Sequence, residues 1–260
     1  WKQTEKQVLD QCLPVLQHAI VLTQGFIGAT SDNASVTLGR EGSDYTAAIL
    51  AAILKSQSVS IWKDVEGLLN ADPKQFAVTQ KIDAISYSEV IEMAFYGAQV
   101  IHPKTIKPLQ NSNIPLHVKC FLNPTAAGTV IQNEVHHAHY PPIIVLKKNQ
   151  VLLQITTRDF SFITEDNLSA IYQVFHQLHI KINLIQNAAI SFIACIDHKE
   201  EQIEALIHAL GKDYKITRNE NARLLTIRHY TETVMEELTR SAVCLLQQKT
   251  RSTLQMVLQD

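Results

Sequence analysis

No stretch of this sequence is apolar for long enough to cross a bilayer, and the longest run, Tyr45 to Leu54, falls far short. No leader with a basic start and an apolar centre opens the chain. Cysteine is scarce and scattered: Cys12, Cys120, Cys195 and Cys244 show no Cys-x-x-Cys spacing, which disfavours a disulfide frame or a zinc site and fits a reduced, cytoplasmic compartment. A formal net charge of -2 leaves no basic footprint for nucleic acid and no charged tail. Glycine and proline run out part-way along. All eight prolines fall at or before Pro142, and beyond Gly128 only Gly211 remains. Tight turns and close backbone approaches are therefore expected in the first part, and plain alternating strands and helices in the second.

At 260 residues the chain can bury one large core or two to three smaller ones. The composition break sets the expected division: residues 1–133 as a first domain, 134–146 as a linker carrying His136, His137, His139 and Pro141-Pro142, and the rest as a second part. Those histidines have no cysteine or carboxylate set beside them, so no metal site is assigned. Trp1 to Leu16 reads as a helix without a start signal, as though the chain began within an element. Ala19 to Gln24 reads as a short buried strand leaving through Gly25-Phe26-Ile27-Gly28. Val59 to Trp62 and Ile114 to Phe121 read as further strands, Ser86 to Phe95 as a helix with a capping box at Ser86 and Glu89, and Thr105 to Gln110 as another helix. This alternation predicts an α/β sheet with helices on both faces.

The stretch Thr37-Leu38-Gly39-Arg40-Glu41-Gly42-Ser43-Asp44 runs straight into the alanine-rich helix Tyr45 to Lys55. Free backbone N–H groups, a cation and a carboxylate meet there at a helix start, which suits an anionic ligand. Taken singly, the same turn is also what an ordinary capped helix looks like. Likewise Lys63-Asp64 reads equally well as a solvated turn pair, and His102-Pro103 as a structural helix cap.

Four segments in order change that balance: Gln24-Gly25-Phe26-Ile27-Gly28; Thr37 to Ala48; Ile61-Trp62-Lys63-Asp64-Val65-Glu66-Gly67 with Ala71-Asp72-Pro73; and Phe95-Tyr96-Gly97-Ala98-Gln99-Val100-Ile101-His102-Pro103. Together they closely resemble the aspartokinases, within the amino-acid kinase fold, over at least residues 12–133. The resemblance implies a partial, carbamate-kinase-like sheet sandwiched by helices. It also implies ATP-dependent phosphorylation of the L-aspartate side-chain carboxylate to 4-phospho-L-aspartate, the first step toward lysine, threonine and methionine, with ATP and its Mg2+ as the cofactors. The family's opening Lys-x-Gly-Gly-Thr motif, which brings a catalytic lysine, does not occur here. The chain is therefore expected to be the carboxyl-terminal part of such an enzyme and inactive alone.

The resemblance implies roles position by position. Arg40, Gly42 and Ser43 match the aspartate-binding turn, where a guanidinium forks onto a carboxylate. Asp44 matches the catalytic residue that orients the missing lysine. Lys63, Asp64, Leu69, Lys74, Gln99 and Val100 match the nucleotide side. Two positions depart: Glu41 stands where glycine is common, and its carboxylate opposes an anion unless it points away; Gln99 replaces a common phosphate-facing lysine and removes a charge.

Beyond the linker, Gln150 to Thr156, Asn167 to Leu178, Lys181 to Gln186, Ile190 to Ile196, Glu200 to Leu210 and Lys215 to Arg218 spell βαββαβ, a ferredoxin-like unit assigned to 147–220. A shorter echo over 221–260 has a strand at Arg223 to Arg228, a helix at Thr231 to Gln248 and a strand at Thr253 to Gln259, as a partial or strand-sharing second unit. After an aspartokinase domain these resemble ACT domains, which implies an end-product amino acid, lysine or threonine, near Phe160, Asn167, Leu168, Ile182 and Asn183. The amide of Asn183, where lysine-inhibited relatives often carry a carboxylate, argues against lysine. Unusual backbone is expected at Glu165-Asp166-Asn167. Edge-to-edge pairing of such units implies a homodimer, with no nucleic-acid or membrane partner. The competing reading is a non-catalytic module for amino-acid sensing and dimerisation; within the enzyme class it is another amino-acid kinase, such as a glutamate kinase.

Overall fold

The computed structural model describes residues 1–98, 101–135 and 139–259, and the fold is mixed α/β in two units, Trp1–Pro141 and Pro142–Asp260. Gln99, Val100, His136 and His137 lie outside the described residues.

The first unit begins with helix α1 (Lys2–Leu16), none of whose residues is buried. A small hairpin, β1 (Ile27–Ala29) with β2 (Ser35–Thr37), leads into α2 (Gly42–Leu54). Ala48, Ala51 and Ile53 are the buried positions of α2 beyond its first residue. Small side chains let it lie close to its neighbours, and the helix stops at Lys55 in a left-handed conformation. Next come β3 (Val59–Lys63), the two-residue strands β4 (Leu68–Leu69) and β5 (Lys81–Ile82), β6 (Ala84–Ser86), α3 (Tyr87–Tyr96), α4 (Pro103–Asn111), β7 (Leu116–Cys120) and β8 (Thr129–Gln132). The central sheet has the order β3-β7-β8-β6; β3 and β7 are parallel, as are β6 and β8, while β7 and β8 are antiparallel. Its buried face carries Val59, Ile61, Ile85, Leu116, Val118 and Ile131. The capping signal at Ser86 is realised: its hydroxyl accepts from the Glu89 N–H at 3.2 Å, and Gly97 closes α3 with φ 114°.

The expected strand over Ala19 to Gln24 is not formed. Ile20 and Leu22 are 96% and 97% exposed, and among the described residues no strand pairs with this segment. An apolar run becomes a strand only when a neighbour takes its backbone hydrogen bonds.

The second unit is one antiparallel sheet of β9 (Ile143–Thr157), β10 (Ile182–Asn187), β11 (Ser191–Asp197), β12 (Tyr214–Arg228), β13 (Val243–Lys249) and β14 (Thr253–Gln259), in the order β10-β11-β9-β12-β14-β13. Helices α5 (Glu165–Gln177), α6 (Glu200–Leu210) and α7 (Glu232–Thr239) complete it. The two 15-residue strands β9 and β12 pair along both halves, so the ferredoxin-like βαββαβ set and the shorter set after it share their central strands. One core cluster holds Val151, Leu153, Ile155, Ile171, Phe175, Phe192 and Leu206, joining the sheet to α5 and α6. Burying Phe175 and Phe192 contributes roughly 1.5–3 kcal/mol each. A second cluster (Leu225, Ile227, Leu254, Met256, Leu258) takes Val234, Met235 and Leu238 of α7. Residues of opposite parity, Leu152, Cys195, Leu224 and Val257 among them, form a third cluster on the other face. Burial pushes the Cys195 thiol up to about 12, which makes it an inert core residue.

Three expectations need correction here. Residues 143–146, assigned to the linker, already belong to β9, with Ile143 and Val145 buried. The helix expected over Thr231 to Gln248 ends at Thr239, because Val243–Lys249 finds a strand partner in β14. The unusual backbone falls at Phe160, φ 58°, while Glu165-Asp166-Asn167 is the regular first turn of α5.

In the first unit one hydroxyl ties three segments together. The buried Thr129 Oγ1 accepts the Leu68 N–H at 2.8 Å and donates to the Ile82 carbonyl at 2.6 Å. Thr129→Val keeps the shape and strands both partners, so it is expected to cost about 2 kcal/mol. Guanidinium unfolding of the first unit should show a lower midpoint at unchanged slope; a loss below about 0.5 kcal/mol would mean that another group replaces the hydroxyl.

Candidate functional site

The turn before α2 is shaped by two close approaches. A Cβ on Gly25 would stand 3.0 Å from Ser43 Cα, and one on Gly42 would stand 2.8 Å from the Phe26 ring. Only glycine lets the loop Gln24–Gly28 sit directly on the start of the helix. Three hydrogen bonds fix it there. The Phe26 N–H donates to Thr46 Oγ1 at 3.0 Å, Thr46 Oγ1 donates to the Gly42 carbonyl at 2.9 Å, and the Leu38 N–H donates to the Phe26 carbonyl at 2.8 Å. No side chain caps the α2 N-terminus. Its first-turn N–H groups and positive dipole end therefore have no side-chain cap, and exposed Arg40 and Ser43 flank them in sequence, an arrangement suited to a carboxylate or phosphate.

The carboxyl end of β3 comes to this turn. Lys63 Nζ lies 3.2 Å from Asp44 Oδ2, with both side chains about four-fifths buried, at 24% and 19% exposure. Because β3 and β7 run parallel, their carboxyl ends lie side by side, the place where open α/β sheets bind ligands. Exposed Asp64 follows Lys63 directly. The loop beyond it is held by Gly67, φ 144°, where a Cβ would meet Thr129 Oγ1 at 2.5 Å. Half-buried Leu69 pairs with Lys81 in the β4–β5 ribbon. Lys74 is exposed on the next turn, its N–H donating to Asp72 Oδ1 at 2.9 Å. The structure thus brings Asp44 and Lys63 into contact on the turn that carries Arg40, Gly42 and Ser43. It sets Leu69 and Lys74 on a separate ribbon and turn. Gln99 and Val100 lie outside the described residues. Glu41 points away from the anion side: its Oε2 accepts the His102 N–H at 2.8 Å. That contact was not legible, since the two residues stand far apart in sequence and neither belongs to a spacing rule. Thr46, four residues after Gly42, was the one readable sign of the loop's anchor. A cavity of about 680 Å³ lined by Asn113, Ile114, Pro115, Gln132, Asn133 and Glu134 includes none of the candidate residues.

In the second unit, the five expected effector residues divide between two places. Phe160 is exposed on the loop between β9 and α5, and Leu168 and Ile182 pack at the edge of the α5–α6 core. Asn167 closes a capping box with Thr164 and donates from Nδ2 to the Tyr214 hydroxyl at 3.0 Å. Asn183 belongs elsewhere. Its Oδ1 accepts from Lys147 Nζ at 2.8 Å, and its Nδ2 lies 2.8 Å from both Gln150 Oε1 and Asp197 Oδ1. Its amide is thus engaged within the sheet and does not join Asn167. Burial foremost, then the nearby Lys181 charge, lowers the Lys147 pKa. For Asp197 burial pushes upward, yet the Gln150 and Asn183 amides with the Lys147 and Lys181 charges outweigh it and hold the carboxyl below its ordinary value. A carboxyl lowered by folding contributes stability that is present above the ordinary pKa and lost as pH falls through the folded one. Asn183→Ala should therefore move the Asp197 titration upward and start the acid loss of the second unit at higher pH. Carbon-detected NMR titration reads this directly, and an unmoved Asp197 would show that Gln150 and the lysines hold it without Asn183.

Residues 2–120 match the model of the amino acid kinase family. The lysine-sensitive aspartokinase 3 of Escherichia coli (strain K12) is 36% identical over 187 residues, a match covering 72% of this chain and 41% of that protein. The chain thus spans about two fifths of that relative's length. Two crystal structures of E. coli aspartokinase III, one in complex with lysine and aspartate and one with aspartate and ADP, superpose with TM-scores of 0.77 at 27% identity, covering 97% and 98% of this chain and 60% of theirs.

Proposed function

The chain belongs to the amino acid kinase family, within its aspartokinases, and from that premise we propose that it forms the nucleotide-binding part and the regulatory part of an aspartate kinase. In the reaction a substrate carboxylate oxygen attacks the γ-phosphorus of ATP, the bond to the bridging oxygen breaks, and ADP leaves. An aspartate side chain is already ionised at neutral pH, so no base is needed. What the protein must supply is alignment and positive charge. Arg40 forks onto one substrate carboxylate, Ser43 and the α2 N-terminus hold it, and Gly42 allows the approach. Asp44 is the catalytic positioning carboxylate, held by Lys63. Lys63, Asp64, Leu69, Lys74, Gln99 and Val100 form the nucleotide side, with Mg2+ arriving on the ATP.

The observation that carries this reading is the Asp44–Lys63 ion pair, because it joins the end of the nucleotide strand to the substrate turn. The crystal structure of the E. coli enzyme in complex with aspartate and ADP adds support. A further cation from a Lys-x-Gly-Gly-Thr segment, absent from this sequence, completes the site in the intact enzyme. The strand-sharing βαββαβ halves act as ACT domains that bind lysine or threonine and pair into a homodimer, and the enzyme works in the cytoplasm. No helix among the described residues is long and apolar enough to cross a membrane.

Coupled ADP release by the enzyme carrying this chain tests the proposal. Arg40→Ala should raise the KM for aspartate roughly 10–100-fold, as expected for a charged hydrogen-bond pair, and Asp44→Asn should lower kcat about 100-fold. Release of ADP that does not depend on aspartate, or is indifferent to both substitutions, would refute the assignment. A thermal shift with lysine or threonine is the expected sign of the effector site. No shift with either favours a second unit that serves dimerisation alone.

A further inference from the structure

Glu41 holds a conformation and a partner that the anion-binding turn does not by itself require. It precedes α2 with φ 55°, the left-handed region that side chains other than glycine adopt at a cost. Its carboxylate accepts the His102 N–H at 2.8 Å, across 61 positions of sequence, and both residues are half-buried. His102 is the N-cap of α4, where its Nδ1 accepts the Lys104 N–H at 3.2 Å. Pro103 occupies the first helical position, and α4 carries no acidic residue in its own first turn. The negative charge that a helix N-terminus attracts is thus delivered to α4 from another element.

We propose that Glu41 is a positioning residue for the substrate carboxylate: it braces the Arg40–Asp44 turn against the start of α4, and in doing so turns its own charge away from the anion side. This rests on the aspartate kinase reading. The carboxylate that appeared as an electrostatic liability in the sequence is the strut that keeps Arg40 and Ser43 presented. It also ties the turn bearing the substrate residues to α4, which begins at Pro103, shortly after Gln99 and Val100 in sequence.

Three variants separate the bond from the backbone and from the charge. Glu41→Gly relieves the left-handed strain and removes the carboxylate, so it folds while losing the strut. Glu41→Gln keeps an acceptor oxygen without the charge, and Glu41→Ala removes the side chain while keeping a Cβ. In the enzyme carrying this chain, Glu41→Gly and Glu41→Ala should speed amide exchange at His102 at least about tenfold and raise the KM for aspartate about tenfold. The kcat and the KM for ATP should stay within about twofold, and Glu41→Gln should restore both readouts to near the parent values. An unchanged KM for aspartate in Glu41→Gly, or equal losses in Glu41→Gln and Glu41→Gly, overturns the proposal. If the parent enzyme releases no aspartate-dependent ADP, it is the aspartate kinase reading that falls. His102 exchange then decides the strut by itself, and unchanged exchange in Glu41→Gly overturns it.

Discussion

The contact on which the first unit's site depends is the ion pair between Asp44 on α2 and Lys63 on β3. Its worth is geometric more than energetic. Exposed ion pairs stabilise by about 0–1 kcal/mol, and for a pair about four-fifths buried the removal of both side chains from water offsets much of the Coulombic gain. What the pair does is give two elements from different parts of the chain one shared coordinate. Helix α2 is already seated by the Gly25–Phe26 loop through Thr46, and β3 by its parallel pairing with β7. With both ends anchored, 3.2 Å between Lys63 and Asp44 fixes the strand end against the helix start. A site built this way uses stiff elements to hold long side chains, and that arrangement lowers the cost of ordering them around a ligand.

Much of this was readable from the residues because the signals were local. The Gly/Ser/Asp turn before an alanine-rich helix is a start signal and an anion signal at once, and Ser86 with Glu89 marked the head of α3 correctly. The strand read over Val59 to Trp62 followed from a short apolar run, and it extends one residue further, to Lys63. The failures were all cases where a partner decides. Ala19 to Gln24 has the composition of a buried strand, yet Ile20 and Leu22 stand in the open because nothing among the described residues pairs with them. Val243–Lys249 continues the helical pattern of α7 in sequence, yet the neighbouring β14 claims it as a strand. Glu41 looked like a charge in the wrong place because its acceptor role toward His102 is visible only in three dimensions.

The second unit shows the same limit from the other side. Its βαββαβ order was legible from periodicity, because Ile171 and Phe175 on α5, and Ile203 and Leu206 on α6, repeat at helical spacing between alternating strands. Its central strands were not: of β9 only Gln150 to Thr156 read as a strand, with residues 143–146 given to the linker, and β12 read as two shorter strands, Lys215 to Arg218 and Arg223 to Arg228; the interruptions fall at Asn149 and Asn221. Both breaks are left-handed residues, φ 54° in each case, at the place where the register between the two strands shifts. The chain kinks there without leaving the sheet, so one strand serves two halves. Beside this seam lies the Lys147–Asn183–Gln150–Asp197 network. A buried polar group is tolerated when every partner is present. Here, one lysine from the first half of β9 is linked through an amide to a carboxylate on β11, so the two halves share a polar contact as well as a backbone.

The disappearance of glycine after Gly128 has a physical meaning once both units are compared. In the first unit Gly67 and Gly128 combine a left-handed φ with no room for a Cβ: one would meet Thr129 Oγ1 at 2.5 Å, and the other the Val118 carbonyl at 2.2 Å. No other residue meets both conditions. In the second unit the left-handed positions are Asn149, Phe160, His179, Asn221 and His229, all with side chains. At these five positions the backbone bends, but nothing presses against it closely enough to forbid a Cβ; only Gly211, where a Cβ would stand 2.6 Å from the Ile207 carbonyl, repeats the close approach among the described residues of this unit. Conformation alone is a modest demand that asparagine meets at small cost, whereas close approach is absolute. The glycine-rich unit is therefore the one in which backbone segments are stacked on one another, and Gly25 and Gly42 extend that stacking to the turn that carries Arg40, Ser43 and Asp44.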